Sequence, residues 1–151
     1  MVNRKKYMDM LTRMKDHQVI KVITGVRRCG KSTLLQMFRD SLVEAGIEER
    51  CCISVNFEDI RFEDLKEYHR LYGYIMERLI PGKMNYIFLD EIQAVPGFQK
   101  AVDSLYLQDH VDIYLTGSNA YMLSGELATL LSGRYIEIRM LPLSFREYLE
   151  M

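Results

Sequence analysis

One segment limits what this chain can fold into more than any other: Gly25-Val26-Arg27-Arg28-Cys29-Gly30-Lys31-Ser32. It fits the spacing G-x-x-x-x-G-K-[ST], and its surroundings give that spacing physical meaning. The β-branched run Gln18 to Thr24 (QVIKVIT) precedes it, and Leu34, Leu35, Phe38 and Leu42 follow at helical spacing. A strand, a glycine-bounded loop and a helix N-terminus in this order form a phosphate cradle. Loop N–H groups converge on the anion, and the positive end of the helix dipole adds to them. Gly25, Val26, Arg27, Arg28, Cys29, Gly30, Lys31, Ser32 and Thr33 are therefore the candidate nucleotide-binding residues. Lys31 is expected to reach the terminal phosphates as a point charge, and the Ser32 hydroxyl to bind Mg²⁺. The competing reading is an ordinary glycine-rich turn.

The rest of the chain alternates strand and helix signals. Arg4 to Asp16 places Tyr7, Met8, Leu11 and Met14 on one helix face. The helix after the cradle is expected to end near Ala45, before Gly46. Cys51 to Phe57 reads as a second strand, and Glu63 to Ile80 as one helix stopped by Pro81-Gly82. Asn85 to Asp90 (NYIFLD) has the continuous apolar character of a buried parallel strand. Phe98 to Leu107 reads as a helix, Val111 to Thr116 as a strand, Ala120 to Leu131 as a helix and Tyr135 to Arg139 as a fifth strand, with a short helical pattern over Ser144 to Met151. Such alternation demands crossover connections and a mainly parallel sheet with helices on both faces.

In a parallel sheet the carboxyl ends of the strands share one edge, where ligands bind. Asp90 and Glu91 follow an apolar strand to that edge. Asp90 is placed to hold the metal shell and Glu91 to accept a proton from an attacking water or to orient it. The alternative is a strand that ends in a solvated acidic turn. At the end of the fourth strand Thr116, Ser118 and Asn119 are candidates to sense a γ-phosphate, with Ser118 preferred; the segment Thr-Gly-Ser-Asn equally suits a helix cap. Arg134, at the entry to the fifth strand, is a candidate to stabilise transition-state charge in its own subunit or in a neighbour. Arg27 and Arg28 suit phosphate or partner contact as well as plain exposure.

Composition removes other classes. A net charge of -1 gives no global basic field for nucleic acid, and none is indicated in this segment. Cys29, Cys51 and Cys52 show neither a disulfide framework nor zinc spacing, which favours reduced thiols. His17, His69 and His110 are scattered without ligand spacing. No secretory leader is visible and no apolar run approaches ~18 residues, so a cytoplasmic protein is expected, with no membrane segment. The 151 residues suit a single domain.

Together these blocks resemble the AAA+-type P-loop ATPases, and in particular a prokaryotic family with an N-terminal ATPase core and a separate C-terminal domain. The carrying segments are Thr24 to Thr33, Asn56-Phe57-Glu58-Asp59, Phe88-Leu89-Asp90-Glu91-Ile92-Gln93, Leu115-Thr116-Gly117-Ser118, Leu131-Ser132-Gly133-Arg134 and Leu141 to Tyr148. The resemblance implies a P-loop NTPase three-layer sandwich with strand order 5-1-4-3-2. It implies ATP with Mg²⁺, Walker A roles for Lys31 and Ser32, and Walker B roles for Asp90 and Glu91. It implies Asn56 as a switch that restrains Glu91, and an arginine finger at Arg134. Such proteins continue into a helical lid and a further domain; these 151 residues are expected to be the core without them.

The expected function is an ATP-binding and ATP-hydrolysing core that couples nucleotide state to a protein partner, a homo-oligomer or the C-terminal domain. The rivals are a nucleotide-dependent binding module without turnover and a P-loop small-molecule kinase. No N-K-x-D motif occurs to read guanine.

Overall fold

The fold follows from the alternation of buried strands with one-faced helices. A computed structural model describes residues 2–26, 29–118 and 127–141. Its five strands are β1 (Ile20–Gly25), β2 (Cys52–Asn56), β3 (Asn85–Asp90), β4 (Val111–Ser118) and β5 (Tyr135–Arg139). They form one sheet in the order β2-β3-β4-β1-β5. Every neighbouring pair is parallel. Read from the other edge, this is the expected 5-1-4-3-2.

Alternate residues of the strands feed two cores. Ile20, Val22, Ile53, Val55, Ile87, Leu89, Ile113 and Leu115 face α3 (Tyr68–Arg78) and α4 (Phe98–Tyr106), where Leu71, Ile75, Val102 and Leu105 meet them. Ile23, Cys52, Tyr86, Phe88, Tyr114 and Ile138 face α1 (Val2–Met14) and α2 (Lys31–Glu44), which supply Tyr7, Leu11, Leu34, Leu35, Phe38 and Leu42. The sheet is thus the middle layer of three. Complete burial of a residue such as Leu11 or Phe38 stabilises the fold by about 1.5–3 kcal/mol.

The long helix expected over Glu63 to Ile80 is two elements. Ile60–Lys66 forms a 3₁₀ segment kinked at Phe62, and α3 starts only at Tyr68. Glu67 breaks them apart: its backbone is extended, and its carboxylate accepts from the N–H groups of His69 and Arg70 as an N-cap. Cys51 belongs to a 3₁₀ turn rather than to β2, and all three cysteines are free and buried. The helical patterns over Ala120 to Leu131 and Ser144 to Met151 fall wholly or mostly outside the described residues; at Leu130–Gly133 the chain is 3₁₀.

A polar cluster, buried at Lys21, Asp112 and Tyr114, ties the turn after α1 to the sheet. Lys21 is fully buried and ion-paired to Asp112 at 2.5 Å, and it also donates to the His17 carbonyl at 2.7 Å. Asp112 accepts further from Asp16 N–H at 2.9 Å and from Tyr114 O–H at 2.8 Å, while Tyr86 O–H donates to Asp16 at 2.7 Å. Burial is the strongest influence on Asp112 and raises its carboxyl above the ordinary range, with Lys21 and the other donors pulling against it. Burial likewise holds the Tyr86 and Tyr114 phenols above theirs.

Candidate nucleotide site

The parallel order puts the ends of β1, β3 and β4 side by side, and the loop after β1 opens directly onto α2. Its two glycines are required for different reasons. A Cβ on Gly25 would lie 2.7 Å from Cys29 Sγ and 2.8 Å from the Met140 carbonyl oxygen. Gly30 caps α2 with φ 97°, a left-handed conformation that side chains disfavour. The chain can therefore turn tightly against Met140 and enter α2 at Lys31.

Lys31 is 3 % exposed, and its ammonium donates to the carbonyls of Gly25 at 3.1 Å and Val26 at 3.0 Å. Cys29 is buried beside it, with Sγ 4.0 Å from Nζ. Val26 is exposed, as are Ser32 and Thr33 at the first turn of α2. Arg27 and Arg28 lie outside the described residues.

Asp90 ends β3 and is 8 % exposed. It lines, with Ser32, Gln36, Arg39, Ser54 and Asn56, a cleft of about 180 Å³ between α2 and the ends of β2 and β3. A carboxylate and a hydroxyl that share one cleft form an all-oxygen donor set, which fits a hard cation such as Mg²⁺.

Thr116 connects the acids to β4. Its hydroxyl donates to Asp90 Oδ1 and accepts from the Glu91 N–H at 2.9 Å. The side chain is fully buried. Ser118, preferred from the sequence, is also buried but sits two residues further along, in register with Gly25. Thr116 was one of three polar residues at that strand end, and only the β3–β4 register singles it out. Asn119 is outside the described residues.

Glu91 has φ 61° and ψ 50°, and its carboxylate accepts from Gln93 Nε2. Asn56 pairs in register with Asp90, but its side-chain oxygen accepts from Glu58 N–H at 3.0 Å in an Asx turn. No hydrogen bond between Asn56 and Glu91 occurs among the described residues.

Arg134 is not with the others. Its carbonyl accepts from Ile20 N–H at 3.1 Å, at the start of β1. The cradle lies at the other end of that strand, roughly 16 Å away at about 3.3 Å per residue, further than an arginine side chain extends. The exposed Arg134 therefore cannot serve the cradle of its own subunit. The turn that carries it is well held: Asp103 of α4 accepts from Leu131 N–H at 2.9 Å, and Gly133 takes φ 84°. Burial raises the Asp103 carboxyl above its ordinary range despite that bond. Among the described residues no group of three His, Cys, Asp or Glu side chains forms a metal site, and no helix is long and apolar enough to cross a membrane.

A parallel sheet in this order, with a glycine-bounded lysine loop after β1 and an acid pair after β3, defines a P-loop NTPase core. The AAA domain family matches residues 17–149, and the chain belongs to it. The chain is 46% identical over 150 residues to an uncharacterized protein of Haemophilus influenzae, covering 99% of this chain and 38% of that protein. It is 37% identical over 136 residues to protein MJ1544 of Methanocaldococcus jannaschii, covering 87% of this chain and 28% of that one. The chain thus spans well under half the length of both relatives. Among solved structures, a DNA polymerase III γ-subunit-related protein of Thermotoga maritima superposes with TM-score 0.65 at 12% identity, covering 95% of this chain and 48% of that one. The Aeropyrum pernix ORC1 protein in complex with DNA gives TM-score 0.62 at 15% identity, covering 99% and 47%. The Thermotoga maritima RuvB Holliday junction branch migration motor gives 0.60 at 17%, covering 98% and 47%. At such identities the likeness is one of fold.

Proposed function

We propose that this chain is an ATP-binding and ATP-hydrolysing core that couples nucleotide state to an assembly. The cleft shared by Asp90 and Ser32, the residue after Lys31, carries this reading. Loop amides and the α2 N-terminus bind the polyphosphate, and Lys31 exchanges its two loop carbonyls for phosphate oxygens. Ser32 and Asp90 would hold Mg²⁺, which neutralises charge on the phosphates when bound. Glu91 takes the proton of, or orients, the attacking water. Thr116 holds the Asp90 carboxylate and the Glu91 main chain, with Ser118 at the loop edge as a second polar sensor. Arg134 acts on a neighbouring subunit's nucleotide, which makes a homo-oligomer part of the proposal. A partner or a further domain of a longer protein reads the nucleotide state.

Lys31→Ala is expected to weaken MgATP binding by at least about 100-fold, or ~2.7 kcal/mol, in calorimetry on the intact protein. Glu91→Gln is expected to bind ATP normally and to lose turnover in a phosphate-release assay. Normal hydrolysis by Glu91→Gln would remove the base from Glu91. A phosphorylated acceptor in place of free phosphate would favour the kinase reading.

A further inference from the structure

The acid that follows Asp90 is engaged by a neighbour in its own turn. Glu91 Oε2 accepts from Gln93 Nε2, and the amide must face this way because a carboxylate only accepts. Gln93 Oε1 is left buried. Among the described residues it is the one buried side-chain polar atom without a hydrogen-bond partner. The main chain of the turn is fixed. Glu91 N–H is bound to Thr116, Ala94 N–H to the Glu91 carbonyl at 3.1 Å and Val95 N–H to the Ile92 carbonyl at 3.0 Å, and Ile92 and Val95 are fully buried. The adjustable part is the Glu91 side chain, and what it meets is Gln93. Asn56, the residue at the end of β2 suited to restrain it, is committed to Glu58 N–H instead.

We infer that Gln93 is a positioning residue that withholds the Glu91 carboxylate at rest, and that it must swing away before turnover. The inference rests on the reading of Glu91 as the hydrolytic base. An amide with one half paired to the base and the other half buried without a donor is built for exchange: leaving the turn gives Oε1 the partner it lacks.

Gln93→Leu keeps the bulk and removes the donor, and Gln93→Ala removes both. In the intact protein each is expected to raise basal kcat for MgATP several-fold at unchanged KM. Loss of packing alone does not raise kcat at constant KM. An unchanged or lowered kcat in both variants overturns the inference. So does a gain from Asn56→Ala with none from Gln93→Leu, which would return the restraint to β2. Glu91→Gln is measured alongside. If it is inactive while the Gln93 variants are not accelerated, the base stands and the restraint falls; if it hydrolyses ATP normally, the base falls and takes the restraint with it.

Discussion

At the scale of single residues, the site depends on two tight contacts. Gly25 has no room for a methyl group, because one neighbour is the Met140 backbone carbonyl, and that strand is pinned by Met140 N–H to the Thr24 carbonyl at 2.7 Å. Gly25→Ala is expected to lower stability by about 1–3 kcal/mol, seen as a lower thermal midpoint in the absence of nucleotide. Thr116 is the second. Thr116→Val preserves shape but removes the donor to Asp90 and the acceptor for Glu91 N–H. It should cost about 1–3 kcal/mol of stability and cut kcat more than KM, since it frees the Asp90 carboxylate and the main chain of the Glu91 turn and leaves the phosphate loop intact. The positions of the loop glycines, Lys31, Ser32, Asp90 and Glu91 at strand ends can be read from the sequence, because each stands at a fixed spacing from its own strand. Thr116 and Gln93 were not singled out: their importance comes from hydrogen bonds across a strand pair and within a turn, which spacing does not record.

At the scale of elements, Leu11 packs α1 on the sheet and Asp16 ties the turn after it to Tyr86 of β3. Burial alone would raise the Asp16 carboxyl, but the Tyr86 hydroxyl and Lys15, with help from Lys21, outweigh it and hold it below the ordinary range. A depressed carboxyl stabilises the fold above its unfolded value of about 3.9 and loses that contribution as the pH falls through the lower folded value. Asp16 has φ 66°, which asparagine tolerates. The thermal midpoint of Asp16→Asn should therefore lie below that of the parent near pH ~7, with the gap closing below about pH 4. A gap that stays constant with pH would assign the contact to shape and not to charge. The same scale explains the split helix. Glu63 to Ile80 carries a continuous apolar pattern, yet the Glu67 carboxylate competes for the amides of His69 and Arg70 and starts a new helix there.

For the whole molecule, strand order decides what Arg134 can do. β5 runs parallel to β1, so its entry lies at the edge opposite the cradle. A role in turnover then requires a second subunit. Arg134→Ala and Lys31→Ala, each expected to be inactive alone, should recover part of the parent activity when mixed, because a mixed pair contains one intact cradle facing one intact arginine. Absence of recovery in mixtures that demonstrably co-assemble would end the trans role. The buried Lys21–Asp112 pair also belongs to this scale. Its members are 91 residues apart in sequence, so no local pattern marks it.

What the sequence determined by itself was local: where strands end, where the chain must turn without a side chain, and which acids and which lysine stand at those ends. Backbone sterics and side-chain period fix such features within a few residues. The tertiary structure decided which strand ends become neighbours. That choice brought Thr116 onto Asp90 and Glu91, set Asn56 beside Asp90, and sent Arg134 to the far edge, because register and crossover direction arise from packing between segments and are encoded in no single one of them.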